Sequence, residues 1–164
     1  MGLSKPEPIR VSHLSVDFDC GNPGLNLYLQ RFALTNHQQG AARTFVTCEE
    51  MKVLGYYSLA AASASLDEVP TRVAKGLPRH PAPLILLGRL AVDSSQKNRG
   101  VGKGLLRDAF LRYMQAQELI GCRALLTHAK DERAAEFYRH FGFEPCGFSP
   151  LHLYLMTKDL QRNL

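Results

Sequence analysis

Apolar and polar residues alternate from Ile9 to Val16, which predicts a first strand, and Asp19-Cys20-Gly21-Asn22-Pro23 then breaks the pattern. Asn22 can cap a helix and Pro23 can fill its first position. Leu25, Tyr28, Leu29 and Phe32 recur at i, i+3, i+4 and i+7, so Pro23 to about Asn36 reads as an amphipathic helix with one buried stripe. Thr44 to Cys48 and Met51 to Ala62 are rich in Val, Tyr, Thr and Leu and meet at Glu49-Glu50, the pattern of two antiparallel strands. Leu66 to Pro83 carries prolines and charges and reads as an irregular or short-helical surface excursion.

From Leu84 to Asp93 the chain is almost continuously apolar, as expected of a central strand covered on both faces. Val101, Leu105, Ala109, Phe110 and Tyr113 then keep helical spacing to about Glu118. Gly121 is a stop, and Cys122 to His128 reads as another buried strand, so strand, glycine loop, helix and strand form a βαβ unit. Ala134, Phe137, Tyr138 and Phe141 predict a short helix that Asp131 can cap and Gly142 ends. Phe143 to Phe148 and Leu151 to Thr157 complete the pattern as a strand pair joined through Ser149-Pro150.

With 164 residues and 45% hydrophobic content the chain fits one domain, residues 1–164, able to bury roughly 70% of its unfolded surface. Cys20, Cys48, Cys122 and Cys146 are widely spaced, without a C-x-x-C pair or a neighbouring His at ligand spacing, so no metal is expected. Met1 to Pro8 has no apolar leader core, and Pro6 stands where a myristoylation motif needs Ser or Thr. Ser58 to Leu66 is too short and too rich in Ala and Ser to cross a bilayer, so a cytoplasmic protein without membrane contact is expected. The formal charge of +5 suits an anionic partner and equally suits simple solubility; where the charge lies must decide.

One segment carries candidate chemistry. Arg99-Gly100-Val101-Gly102-Lys103-Gly104 is a glycine-rich turn between a strand and a helix, where exposed amides and the positive helix end can hold phosphate. The same pattern also serves as a tight turn without a ligand. It is not a P-loop, because Leu105 and Leu106 follow Gly104, and it lacks the third glycine spacing and downstream acid of a dinucleotide fingerprint.

Lys97-Asn98-Arg99-Gly100-Val101-Gly102 resembles the Q/R-x-x-G-x-G/A cofactor motif of the GNAT acetyltransferases, with Lys97 where Gln or Arg is usual. Arg89-Leu90-Ala91-Val92-Asp93 is similar to that family's fourth strand, and Ala134 to Phe143 resembles its A-x-x-F-Y-x-x-x-G-F helix. The resemblance implies an α/β (α+β) GNAT fold, a mixed, mostly antiparallel twisted sheet of about six or seven strands flanked by about four helices. It implies acetyl-CoA as cofactor, held by Leu90, Ala91, Val92, Lys97, Arg99, Gly100, Val101, Gly102, Lys103, Gly104, Leu105, Asp131 and Ala134. It also implies that Tyr138 protonates the departing thiolate, since ordinary values near 10 for Tyr and 8.5 for a thiol keep the phenol protonated at neutral pH. No carboxylate is evidently dedicated to deprotonating the attacking amine; Asp93 and Glu136 are candidates, and an α-amine with a pKa near 8 could lose its proton to water.

Phe18 to Leu29, Leu87 to Asp93 and Phe137 to Pro145 are further similar to GNAT toxins of bacterial type II toxin–antitoxin modules. That resemblance implies acetylation of the α-amine of aminoacyl-tRNA, a block in translation, a ribbon-helix-helix antitoxin, and a possible homodimer. Arg72, Lys75, Arg79 and His80 in the excursion, Arg89, and Lys97, Arg99, Lys103 and Arg107 around the loop are the cations available to tRNA or to CoA phosphates. A GNAT acting on a protein or small-molecule amine, and a non-catalytic acyl-CoA-binding module, are the alternatives.

Overall fold

The computed structural model describes residues 2–147 and 149–164, so the expected strand end at Phe148 lies outside the described residues. Among the described residues seven strands are present: β1 (Glu7–Pro8), β2 (Arg43–Glu49), β3 (Lys52–Ala64), β4 (Ala82–Val92), β5 (Ala124–His128), β6 (Glu144–Cys146) and β7 (Ser149–Met156). They lie in the order β1-β2-β3-β4-β5-β7-β6. β4 and β5 are parallel, whereas β1/β2, β2/β3, β5/β7 and β6/β7 are antiparallel. The helices are α1 (Pro23–Leu27), α2 (Ala33–Gln39), α3 (Thr71–Ala74), α4 (Val101–Gln117), α5 (Glu132–His140) and α6 (Thr157–Gln161). Two compact units emerge, one running to Ala60 and including Gly88–Ala109, the other Ala61–Leu87 with Phe110–Leu164.

In the first unit the strand expected over Ile9 to Val16 is replaced by a turn. Glu7 and Pro8 form the short ladder with β2, Leu14 makes an isolated bridge to Lys52, and Val11 and Val16 are 83% and 80% exposed. The buried His13 ring is the cause: its Nδ1 accepts from the Arg10 amide at 3.0 Å while Nε2 lies 2.7 Å from Glu7 Oε1. Such local side-chain bonds compete with a ladder, and here they win. The helix cap at Asn22 forms as expected, its Oδ1 accepting from the Leu25 amide at 3.0 Å. Between α1 and α2 the chain passes through a π-helical turn, Tyr28–Phe32. The extra residue rotates the apolar stripe, so Tyr28, Leu29 and Ala33 are buried while Phe32 is 51% exposed. Tyr28, Leu29 and Ala33 pack with Phe18, Val46, Tyr56 and Ala91.

Two details of this unit position the glycine loop. Gly55 on β3 has no room for a side chain: a Cβ there would stand 3.0 Å from Thr47 Cγ2 and 3.1 Å from Leu105 Cδ1. The missing atom lets the first turns of α4 seat closely on the sheet, where the Tyr57 hydroxyl donates to Asp108. At the end of β4, Asp93 is 8% exposed and its carboxylate is fully engaged. Oδ1 accepts from the Asp19 amide at 2.9 Å, and Oδ2 accepts from the Ser95 amide and hydroxyl at 3.0 and 2.7 Å.

In the second unit the excursion is less superficial than its composition suggests. Val69, Val73 and Ala82 are buried with Leu84, Ala124, Leu126 and Tyr154. Arg123 anchors it, Nε donating to the Val73 carbonyl at 2.8 Å and Nη2 to the Lys75 carbonyl at 2.7 Å. The β6–β7 connection falls before Ser149, which together with Pro150 belongs to β7. The terminal α6 was not anticipated; it buries Leu160, and the Thr157 Oγ1 at its start is 2.9 Å from the Tyr113 hydroxyl.

Burial raises the pKa of Asp93, but the Asp19 and Ser95 donors outweigh it and hold the carboxyl below its ordinary value of 3.8. A lowered folded-state pKa means that its stabilisation is present above about pH 4 and is lost as pH falls through the folded value. Asp93→Ala strands two amides and is expected to cost about 2–4 kcal/mol in denaturant unfolding at pH 7. The difference should shrink below pH 4, and an unchanged midpoint at pH 7 would show that the clamp is dispensable.

Candidate active site

The loop that the sequence singles out begins where Asp93 caps a 3₁₀ turn, Ser94–Gln96. Lys97 is extended, Asn98 and Gly100 take the left-handed conformation at φ 63° and 76°, and α4 starts at Val101. Asn tolerates that region, and glycine enters it freely. The first-turn amides of a helix lack intrahelical acceptors, and they share the positive end of a 17-residue dipole. No acidic residue stands in that first turn. Instead, exposed Lys97, Arg99, Lys103 and Arg107 lie in or beside the first turns, and positive charge there suits an anionic ligand. A cavity of about 460 Å³ borders the loop at Arg99, Gly100, Val101 and Gly104. A Cβ on Gly100 or Gly104 would meet no atom within 4 Å, so the backbone here is open to close approach by a ligand. The donor set therefore suits the pyrophosphate of acetyl-CoA.

The other residues assigned to the cofactor fall into two groups. Ala91 is buried against the π-helical segment, Leu90 and Val92 are half-buried, and Leu105 lies in the core beneath Gly55. The side chains of Ala91 and Leu105 are thus committed to packing, which leaves their backbone for a ligand. Asp131 and Ala134 are committed to each other, with Asp131 Oδ1 accepting from the Ala134 amide at 2.8 Å. Their evident task is to cap α5.

Capping matters because α5 carries Tyr138. Its nine residues bury Ala135 and Tyr138, and Gly142 at φ 99° ends the turn that follows. The Tyr138 ring meets Phe143 edge-on at 5.3 Å and Phe137 at 5.4 Å. Burial raises its hydroxyl to about 12, offset in part by a hydrogen bond with the Thr127 side chain. Thr127 Oγ1 in turn donates to the Leu87 carbonyl at 3.0 Å, where the β4–β5 ladder ends with the pair Leu87↔Thr127. The phenol is fully protonated at neutral pH and is a weaker acid than a thiol. Its proton therefore moves only as charge builds on an acceptor.

Of the expected tRNA contacts, Arg72 is already neutralised. Its guanidinium donates to Glu144 at 3.0 Å and to Asp159 at 2.8 Å, tying α3 to β6 and α6. Arg89 lies 3.6 Å over the Tyr28 ring, a cation–π contact. Lys75, Arg79 and His80 are exposed. Neither carboxylate considered as a base has that role open in a simple way: Asp93 is spent on its three donors, and Glu136 is exposed on α5. Sequence reasoning missed Gly55, Thr127 and the stacked pair of His128 and His152; the alternation of β5 and β7 was the available signal for the last.

The family profile described as the acetyltransferase (GNAT) domain matches residues 40–145. The chain belongs to the GNAT acetyltransferases. A tRNA-acetylating toxin of Mycobacterium tuberculosis (strain ATCC 25618 / H37Rv) is 46% identical over 158 residues, covering 96% of this chain and 95% of the relative. Among solved structures, AtaT complexed with acetyl-methionyl-tRNAfMet superposes with a TM-score of 0.90 at 28% identity and 98% coverage of both chains. A point mutant of the AtaT toxin bound to the C-terminus of the antitoxin AtaR and acetyl-CoA gives 0.83 at 27% identity, covering 99% of this chain and 97% of that one. Among the described residues of this GNAT chain, no helix is long and apolar enough to cross a membrane, and no group of three or more His, Cys, Asp or Glu could hold a metal ion.

Because Gly104 faces open space and keeps ordinary helical φ, Gly104→Glu is expected to fold and melt like the parent while losing at least about tenfold in acetyl-CoA affinity through bulk and like charge. Calorimetric titration with equal affinities would move the phosphate site elsewhere.

Proposed function

We infer that this chain is an acetyl-CoA-dependent N-acetyltransferase of the toxin class, which transfers acetyl to the α-amine of aminoacyl-tRNA and so removes it from translation. The observation that carries the reading is the cationic glycine turn opening α4, a phosphate-binding device within a chain similar end to end to a tRNA-acetylating toxin. A ribbon-helix-helix antitoxin is its proposed neutralising partner, and the cytoplasm, where charged tRNA is found, its proposed place of action.

Acetyl-CoA supplies the activated acyl group as a thioester. The chain's own residues bind and move protons. The amides at the start of α4, with Lys97, Arg99 and Lys103, hold the phosphates. The backbone of Leu90 to Val92 receives the pantetheine arm in the manner of an added strand. Tyr138 Oη gives its proton to the thiolate as sulfur departs, and the Thr127 hydroxyl, which donates to the Leu87 carbonyl, can stabilise the resulting phenolate by turning its proton to Oη. Exposed Lys75 and Arg79 are the cations best placed to meet nucleic-acid phosphate, since Arg72 is paired within the protein.

Labelled acetyl-CoA incubated with charged tRNA, uncharged tRNA and peptide amines tests the substrate class. Label on charged tRNA alone is expected, and label on peptides alone would replace this reading with a protein acetyltransferase. Tyr138→Phe retains the ring and its packing, so it should melt like the parent and bind acetyl-CoA normally while turnover falls on the order of 10²- to 10⁴-fold. Near-parental single-turnover acetylation would remove the acid role. Replacing Lys75 and Arg79 by Ala, with Arg72 left in place, should reduce the slope of log affinity for tRNA against log salt by about one to two. An unchanged slope would put tRNA on another surface.

A further inference from the structure

Neither Asp93 nor Glu136 is a ready proton acceptor, yet the α-ammonium of an aminoacyl ester must lose a proton before its nitrogen can attack. On β5 and β7 the register pairs His128 with His152, and their imidazoles stack with centroids 4.1 Å apart and an interplanar angle of 21°. The pair occupies the last position of β5, one residue beyond Thr127, and ligands of open α/β sheets gather at the carboxyl ends of strands.

Strand alternation separates the two kinds of proton chemistry. Leu125 and Thr127, paired with Leu155 and Leu153, point to the face that packs α5, where Tyr138 meets Thr127. Ala124, Leu126 and His128 point the other way, and Ala124, Leu126 and Tyr154 on that face pack against Val69 and Val73 of the basic excursion. The same end of one strand thus offers a phenol on one face and an imidazole pair on the other, on the side that also carries the excursion with Lys75 and Arg79. An amine and a leaving sulfur flank a carbonyl carbon in the same way.

We propose that His128, backed by His152, is the base that accepts the proton of the acceptor α-ammonium; this rests on the reading of the chain as an aminoacyl-tRNA acetyltransferase. The ammonium gives one proton to an imidazole nitrogen of His128, and the freed nitrogen pair forms the C–N bond as the C–S bond breaks. The nitrogen then loses a second proton to water, Tyr138 regains from water the one it delivered to the thiolate, and His128 releases the first to water. The products are the N-acetylaminoacyl ester, the free thiol and one proton. His128 is exposed, but partial desolvation by its neighbours, and secondarily the charge of His152, hold it below the ordinary 6.5, so most of the ring population is neutral and able to accept at pH 7.

His128→Gln tests this in the full chain, with acetyl-CoA and charged tRNA as substrates. Turnover at pH 7 should fall on the order of 10²- to 10³-fold, with acetyl-CoA affinity and melting temperature unchanged. In acid the logarithm of kcat/KM should rise with pH with a slope of about one in both, levelling off with the His128 imidazole in the parent and climbing on toward an amine pKa near 8 in the variant. His152→Gln should keep most activity but raise the midpoint of the His128 imidazole titration followed by NMR in the free protein. Parental turnover and an unchanged acid limb in His128→Gln would overturn the base assignment, and an unmoved midpoint in His152→Gln would overturn the pairing. If the parent acetylates peptides and not charged tRNA, the substrate reading falls by itself, and the same pH profiles with the accepted amine still decide whether His128 is the base.

Discussion

The carboxylate of Asp93 is the constraint on which the first unit depends. It ends β4, caps the 3₁₀ turn that feeds the glycine loop, and takes the amide of Asp19 at a sequence separation of 74 residues. The Ser94 amide reciprocates by donating to the Asp19 carbonyl at 2.8 Å. Asp19 Oδ1 then accepts from the Gly21 amide and the Asn26 side chain, which sets the entry to α1. One buried ion thereby joins the strand proposed for pantetheine, the turn proposed for pyrophosphate, and the helix that leads into the π-helical turn whose Tyr28 lies under Arg89. A charge this buried persists because both of its oxygens accept hydrogen bonds, three in all. The same satisfaction disqualifies it as a catalytic base.

In the second unit the organising element is short. A nine-residue helix has little stability alone, and α5 is held by its Asp131 cap, by the left-handed Gly142, and by the contacts of Tyr138 with Phe137 and Phe143. The ring is therefore core packing and proposed chemistry at once, with the hydroxyl separable from the packing. The hydroxyl relay from Tyr138 through Thr127 to the Leu87 carbonyl ends at the last β4–β5 pair.

Charge in this molecule divides by partner rather than by position in sequence. Arg72 and Arg123 stand in or beside the basic excursion, yet both hold the excursion to its own unit through carboxylates and carbonyls. Lys75 and Arg79, a few residues away, remain exposed. A net charge of +5 thus overstates what an outside polyanion would meet in one region, and the cations around the start of α4 stand apart in that its first turn holds no acid.

Much was decided by local sequence. The Asn22-Pro23 start, the β2–β3 hairpin, the apolar β4, the glycine turn and the Asp131 to Gly142 helix all follow from periodicity, caps and glycine, forces that act within a few residues. The GNAT family itself was legible through the resemblance of Lys97 to Gly102 and Ala134 to Phe143 to that family's motifs. Other features came only from tertiary contact. Ile9 to Val16 alternates like a strand, but the buried His13 turns the chain after two paired residues. Phe32 fits the helical stripe until a π turn rotates it outward. Gly55, Arg72, Asp93 and the His128–His152 stack owe their roles to residues far away in the chain. Periodicity reports which face of a segment is apolar. It cannot report which distant donor, ring or carboxylate will meet a given side chain, because that depends on strand register and helix seating, and these are set by packing of the whole core.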